Sequence, residues 1–592
     1  MKIKCLYLKI VQRKSFVIEL ESISAQLKKE SMQMTTSNSI TKQSIDVAIV
    51  EPNQLNPNDC QTSDLAEQGN IHIRGNHIND VSQVDVNDMM KVYHYDDETC
   101  QTVKDENLLP IGLLSRLHAS YPQHSGLLDK NEHMFSDKDQ YTGLSGFREV
   151  VAILAANDID IGDIEEREFF VEVYRFLATK HSLNSIDWSN FYEDSVFQLV
   201  MPQPNMINKL TVTEYLGANL ADKKAVVSAY QEKTSPHDGN QQLNKPWFEN
   251  EQGEIEFLDG SQHKYPQCQL IFDKTTQNCF SFCTYCFRHA QVRGDEDMFI
   301  QKEIGQIHRY LKVHKEVTDM LITGGDGGYM PASRLEQYVT PLMEDRELLH
   351  IKTVRLATRA LTFQPEMILS RKYDKMLAVF DKLHENGIQL AWMAHFSTPR
   401  ELLNPTTIAA IRRLQRHGVV IRSQSPMMNH ISLFEHDDGS IDIDRSAQNW
   451  IDLSNILATM LISFHSMYCA RPTGEHHYFT APLSAVSQIF DKIYRELPSI
   501  NRPSRHLSMT TSAGKISIMG ECEVAGERAF ALMFTEGRNM KWLDKVFLAK
   551  YDESTNDVKL LKPFDTDKFF FEEELEKIEH DLAAALNKRL QA

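Results

Sequence analysis

Between residues 269 and 497 the chain alternates short apolar runs with longer stretches in which apolar residues recur three and four positions apart. The short runs read as buried strands and the longer stretches as helices with one apolar face. QLIF (269–272) precedes a helix near 300–313, MLITGG (320–325) one near 333–342, and TVRLAT (353–358) one near 373–386. QLAWMAHF (389–396) precedes a helix at 406–417, VVIRSQS (419–425) one at 447–460, and ISFHSMY (462–468) one at 483–497. Six strand-then-helix units in series predict an α/β fold with a parallel sheet, open or closed into a partial (β/α)6 barrel. The fourth helix has the clearest ends, with Asn404 as N-cap, Pro405 in the first turn and Gly418 just past the last.

Outside this array the pattern changes. Residues 31–108 are rich in Ser, Thr, Asn, Gln and Asp without sustained periodicity, as in MQMTTSNSITKQS and EPNQLNPNDCQTSD, and are expected to bury too little surface to order themselves. GFREVVAILAAND and DIEEREFFVEVYRFLATKHS have helical spacing and predict a helical pre-domain ending near Met201, followed by the polar linker YQEKTSPHDGNQQLNKP. Beyond a seventh extended piece, HLSMTT, the C-terminal segment sets Leu575, Ile578, Leu582 and Leu586 on one helical face. That face packs on its own domain or on a second copy, so a homo-oligomer stays open. The expected division is 1–140 polar, 141–246 pre-domain and linker, 247–520 catalytic core, and 521–592 C-terminal extension.

With 592 residues, 42% of them hydrophobic, the chain has ample material for a large core. Its 82 acidic against 63 basic residues give a net charge of −19, which argues against a general nucleic-acid binder. Nine cysteines in this length do not read as a disulfide framework. The apolar residues near the start are interrupted by Lys9, Arg13 and Lys14, and no apolar run is long enough to span a membrane. A cytoplasmic protein is expected.

Three cysteines stand together in NCFSFCTYCFRH: Cys279, Cys283 and Cys286, spaced CxxxCxxC in the loop after the first predicted strand. In parallel α/β folds the loops at the carboxyl ends of the strands open onto the site. Three thiolates from one loop can hold three irons of a four-iron cluster and leave the fourth iron for another ligand. The alternative is a structural zinc with His289 as fourth ligand.

CxxxCxxC with Tyr285 before its last cysteine, after the first strand of a six-unit array, resembles the radical S-adenosylmethionine (SAM) superfamily. CTYCFRH, Gly324-Gly325-Asp326, HFSTP (395–399), RSQS (422–425) and SAGK ending at Lys515 occur in the order seen in the lysine 2,3-aminomutase family. The resemblance covers roughly 247–520. It implies a radical SAM partial barrel with a [4Fe-4S] cluster on Cys279, Cys283 and Cys286. It also implies SAM on the open iron, with Gly324, Gly325, Asp326, His395 and Gln424 at SAM. An electron from a donor such as flavodoxin or ferredoxin then yields a 5′-deoxyadenosyl radical. The family's second cofactor, pyridoxal 5′-phosphate (PLP), is joined to a lysine that corresponds to Lys515, with Lys264 and Tyr265 toward its phosphate.

This sequence departs from the family at three places. The turn before Lys515 reads TTSAG instead of a run of glycines, and Cys268 stands where a phosphate-binding arginine is expected. The acidic residues that hold the distal ammonium of lysine are replaced by Ala470 and Ser508. An amino acid other than lysine is therefore the expected substrate, with Arg471 either binding its carboxylate or pairing with Glu475. His395, His465, His476 and His477 lack local metal-ligand spacing and read as hydrogen-bonding groups. The leading expectation is a radical SAM isomerase of the aminomutase type. Its rivals are a PLP-independent radical SAM enzyme acting on a peptide or other bulky substrate, and a noncatalytic iron-sulfur or zinc protein.

Overall fold

The computed structural model describes residues 95–124, 134–234, 241–294, 298–471 and 473–590, all within the unit Ile73–Ala592. Residues 95–120, part of the stretch expected to be polar and unordered, form the helices Asp97–Asp105 and Ile111–Ser120. Four apolar side chains explain this: Val103, Leu108, Leu114 and Leu117 are all buried. Asp96 caps the first helix by accepting from Thr99 N at 2.8 Å. Residues 1–94 and 125–133 of the region expected to be polar, 1–140, lie outside the described residues.

The region expected to be a helical pre-domain carries helices Gly143–Ala156 and Ile164–Val173 and also a small antiparallel pair, β1 (Gln140–Thr142) with β2 (Leu177–Thr179). A longer helix, Leu220–Thr234, leads toward a second pair, β3 (Trp247–Glu249) with β4 (Ile255–Phe257).

One eleven-stranded sheet follows, with its strands ordered in space as they are in sequence. Its edge strand β5 (Ser261–Tyr265) runs antiparallel to β6 (Cys268–Phe272). The parallel series is β6, β7 (Asp319–Thr323), β8 (Thr353–Ala357), β9 (Gln389–Ala394), β10 (Val420–Met427) and β11 (Ser463–Cys469). These are the six predicted strands, each within two residues of its expected bounds. A short β12 (Ser508–Thr510) continues parallel to β11. The antiparallel strands β13 (Gly514–Val524), β14 (Glu527–Gly537) and β15 (Val546–Lys550) then complete the sheet.

The sheet curls without closing: β14 comes near β5, and Lys264 of β5 donates to the Thr511 carbonyl just past β12. The period-two alternation of a strand then sorts its residues. In β8, Val354 and Leu356 are buried toward the helices, while Arg355 faces the hollow side; Leu270, Leu321, Gln424 and His465 share that inner face. The predicted caps of helix Pro405–Arg416 are present: Asn404 Oδ1 accepts from Thr407 N at 2.9 Å, and Gly418 has φ 69°. The last helix, Glu572–Leu590, rests Leu575 and Ile578 against the core. No helix among the described residues is long and apolar enough to cross a membrane.

A buried carboxylate ties the pre-domain to the loop after β11. Glu475 accepts from Tyr174 Oη at 2.7 Å and from Tyr230 Oη at 2.8 Å. Burial pushes its carboxyl up to about 7 from the ordinary 4.5, against the pull of the two tyrosines. A carboxyl raised in the folded state stabilises most below its unfolded pKa, and the benefit is lost as pH climbs to the folded value. The stability advantage of wild type over Glu475→Gln is therefore expected to fall by on the order of 2–3 kcal/mol between pH 5 and 8. Urea unfolding measures it; an advantage constant over that range contradicts the assignment.

Candidate functional site

The cysteine loop leaves β6 through Asp273, whose carboxylate accepts from Thr275 N at 2.8 Å, Arg334 Nη2 at 2.7 Å and Tyr338 Oη at 2.8 Å. The pre-domain then grips the loop from outside. Phe282 N donates to Leu177 O at 2.6 Å and Thr284 N to Leu199 O at 3.0 Å. Gln140 Nε2 donates to Phe280 O at 3.0 Å, and Ser281 Oγ accepts from Thr179 N at 3.1 Å. The loop is thus fastened by three of its backbone groups and the Ser281 hydroxyl.

Gly324 and Gly325, at the end of β7, support the same loop from below. Gly325 N donates to Thr276 O at 2.7 Å, and Asp326 N to the same oxygen at 3.1 Å. A Cβ on Gly324 would stand 2.6 Å from Thr276 O, and one on Gly325 2.7 Å from Asn278 O. These glycines are required by the close approach of two loops. Asp326, expected to face the SAM amine, has its carboxylate taken by backbone: Oδ1 accepts from Gly328 N and Oδ2 from Arg359 N, both at 2.8 Å. Gly324, Gly325 and Asp326 line neither cavity described below.

The three thiols keep some accessible surface yet lie deep in the protein. Burial, then the neighbouring Cys286 and Asp326, drive the Cys279 thiol well above its ordinary value. Burial pushes Cys286 up to about 12, with Cys283 adding to it, and burial also raises Cys283 against the opposing pull of Arg359. Three adjacent thiols that resist ionising in a protein environment form a donor set that a cluster of iron cations can charge and hold. The zinc reading fits less well, because His289 Nε2 meets the Thr234 carbonyl at 2.9 Å and its ring packs edge-on to Tyr174.

Arg359, just past β8, joins these parts. Its Nη1 donates to Cys283 Sγ at 3.3 Å and to Tyr285 Oη at 2.9 Å, and its Nη2 to Glu401 Oε1 at 2.7 Å. Tyr285 Oη lies 3.0 Å from His395 Nε2, whose ring is held neutral by burial and by Arg359. Sequence reasoning missed Arg359 and Glu401. One signal was available for Glu401: Thr398-Pro-Arg-Glu401 is a capping box.

Two adjoining cavities open inside the curl. The smaller, about 230 Å³, is lined by Tyr285, His395, Gln424, Met428 and Phe479 among others. The larger, about 360 Å³, brings together Lys264, Tyr265, Arg471 and Lys515, four of the predicted residues, with Gln424 again in the wall. Phe287 and Arg288, the two residues after Cys286, reach the larger cavity.

Cations dominate that cavity. Arg355, unforeseen although it interrupts an otherwise apolar strand, donates from Nη2 to Cys268 Sγ at 2.8 Å and from Nε to Asp319 at 2.9 Å. It stands beside Cys268, where the family arginine is lacking. Arg538 donates to Ser512 O at 2.8 Å and Asn244 Oδ1 at 2.6 Å. Glu536 pairs with Lys515 at 2.7 Å and Arg505 at 2.9 Å; burial works against its charge, but Lys515 and Arg505 outweigh it and hold the carboxyl at about 2. Arg471 lies 5.0 Å over the Phe287 ring. Glu475 does not pair with it, being occupied by Tyr174 and Tyr230.

No family model matches the chain. A lysine 2,3-aminomutase-like protein of Aquifex aeolicus is 25% identical over 267 residues, 45% of this chain and 66% of that protein. The L-lysine 2,3-aminomutase of Bacillus subtilis is 24% identical over 48% of this chain and 54% of its own length. The glutamate 2,3-aminomutase of Clostridioides difficile is 29% identical over 28% and 37%. The matched parts thus span less than two thirds of each relative. A radical SAM methyltransferase structure from Sphaerobacter thermophilus overlaps 62% of this chain and 93% of that one at a TM-score of 0.28 and 12% identity, a score too low to add weight. In its cysteine loop at the end of the first parallel strand, and in its similarity to these relatives, the chain resembles the radical SAM superfamily and, within it, the family of lysine 2,3-aminomutase.

Proposed function

We propose that the protein is a radical SAM isomerase that moves an amino group between adjacent carbons of an anionic or neutral amino acid. In this reading Cys279, Cys283 and Cys286 hold a [4Fe-4S] cluster, and the smaller cavity, with Tyr285, His395 and Gln424, takes SAM. When bound and reduced by an external donor such as flavodoxin or ferredoxin, the pair supplies a carbon radical strong enough to remove a substrate hydrogen. The protein's share is positioning and charge. The Arg359 guanidinium braces Cys283 and Tyr285, and neutral His395 keeps Tyr285 oriented. Arg471, in the wall of both cavities, has no carboxylate partner among the described residues, and a half-buried cation of this kind gains most from an anionic ligand.

The observation that carries the reading is the continuity from Cys286 through Phe287 and Arg288 into a cation-lined cavity of amino-acid size. That size also favours a small substrate over a peptide. The test is an anaerobic screen of amino acids with reduced, reconstituted protein, following 5′-deoxyadenosine and β-amino isomers together. An acidic or neutral amino acid is expected to give both products and lysine neither. Hydrogen abstraction without any isomer would sink the amino-migration part.

A further inference from the structure

The PLP expectation places its lysine at Lys515, and the geometry does not suit that residue. Lys515 Nζ is held 2.7 Å from Glu536 Oε2, between the rings of Tyr265 and Tyr468 at 5.8 and 5.6 Å. Burial works against its charge, but Tyr468, Glu536 and Tyr265 outweigh it and raise its pKa above the ordinary lysine value. A protonated amine has no lone pair to offer a carbonyl.

A second amine faces the same ring. Lys264 Nζ lies 5.5 Å from the centroid of Tyr265, and its polar partner is the backbone carbonyl of Thr511. Neither carboxylate of the cavity, Glu536 or Asp557, is paired with it among the described residues, and Arg471, Lys515, Arg538 and Lys559 line the same space. We propose that Lys264, and not Lys515, is the amine of this cavity that condenses with a carbonyl compound, an aldehyde bearing an anionic group for which the surrounding cations provide the counter-charge. The inference rests on the reading of this cavity as the ligand site, and it assigns Lys515 to holding Glu536 and the cavity wall. Burial first, then Arg538, Arg471, Lys515 and Lys559, hold Lys264 well below the ordinary lysine value, as desolvation beside like charge requires.

In the step itself the Nζ lone pair attacks the carbonyl carbon, a C–N bond forms, and the carbonyl oxygen leaves as water with the two amine hydrogens. Borohydride then delivers hydride to the imine carbon, and solvent protonates the nitrogen, which fixes the adduct as a secondary amine.

The test is peptide mapping of the full-length protein after incubation with PLP near pH 7 and reduction with borohydride. Label on Lys264 is expected to exceed that on Lys515 at least tenfold. Lys264→Arg should abolish the main label while keeping the charge, and Glu536→Gln should raise the label on Lys515 by releasing its amine. Dominant label on Lys515 in the wild type overturns the proposal, as does labelling no more selective than that of the urea-unfolded chain. The wild-type map decides alone if either variant fails to fold. Neither iron nor SAM takes part, so the Cys279→Ala/Cys283→Ala/Cys286→Ala protein should give the same map, and failure here is separable from failure of the radical SAM reading.

Discussion

Replacing Cys279, Cys283 and Cys286 together by alanine is expected to leave a folded protein that takes up no four-iron cluster and makes no 5′-deoxyadenosine. Loss of SAM cleavage should be complete, because no other group of cysteines lies beside this loop among the described residues. The fold should survive because the loop is fastened through Phe282 N, Thr284 N, Phe280 O and Ser281 Oγ, none of which the substitutions touch. Stability should change by about 0.5–3 kcal/mol per position, the usual range for single replacements. Iron content, absorbance of the anaerobically reconstituted protein and product analysis check the first part; far-ultraviolet circular dichroism checks the second. A variant that retains four irons and cleaves SAM would remove these cysteines from the account.

The second large effect is expected at Arg359. Arg359 and Glu401 are both buried, with side-chain exposures of 8% and 1%. Removing one partner of a buried pair leaves the other charge uncompensated, at a cost of about 3–5 kcal/mol. Arg359→Met should therefore lower the urea midpoint markedly and also reduce SAM cleavage, since the same guanidinium orients Cys283 and Tyr285. Glu401 additionally accepts from Thr398 N at 2.9 Å, so the informative companion is Glu401→Gln, which keeps an acceptor and removes the charge. The double variant should regain a good part of the lost stability without regaining activity. A double variant destabilised by the sum of the two single losses would mean that the pair is not coupled as described.

The parallel strands were legible because strands covered on both sides read as short apolar runs, as in QLIF and MLITGG. The sequence motif also located the cysteine loop, since its chemistry resides in residue types at fixed spacing. The antiparallel end of the sheet was passed over, although Ile516 and Ile518 against Phe530, Leu532 and Phe534, around Ala525-Gly526, show the alternation of a hairpin. The partners of the site were hidden for another reason. Tyr174 and Glu475 stand 301 residues apart, and Arg355 meets Cys268 across two strands; such pairs depend on register and curl, which composition does not encode. Lys515 was found by its place in a motif, and only the position of Glu536 on the neighbouring strand reveals that its amine is engaged.

The grip of the pre-domain on the cysteine loop bears on how the metal centre assembles. Ordering a backbone residue costs roughly 1–2 kcal/mol in conformational entropy. Here the strand β2 and helix Ser195–Val200 meet that cost for the loop when the polypeptide folds, through Leu177 O and Leu199 O. In the proposed reading, iron and sulfide would enter a receptor already shaped, and the affinity of the cluster would depend in part on residues some hundred positions upstream of Cys279, Cys283 and Cys286. On that reading the pre-domain is a component of the proposed cofactor site, and the sheet without it would hold iron more weakly.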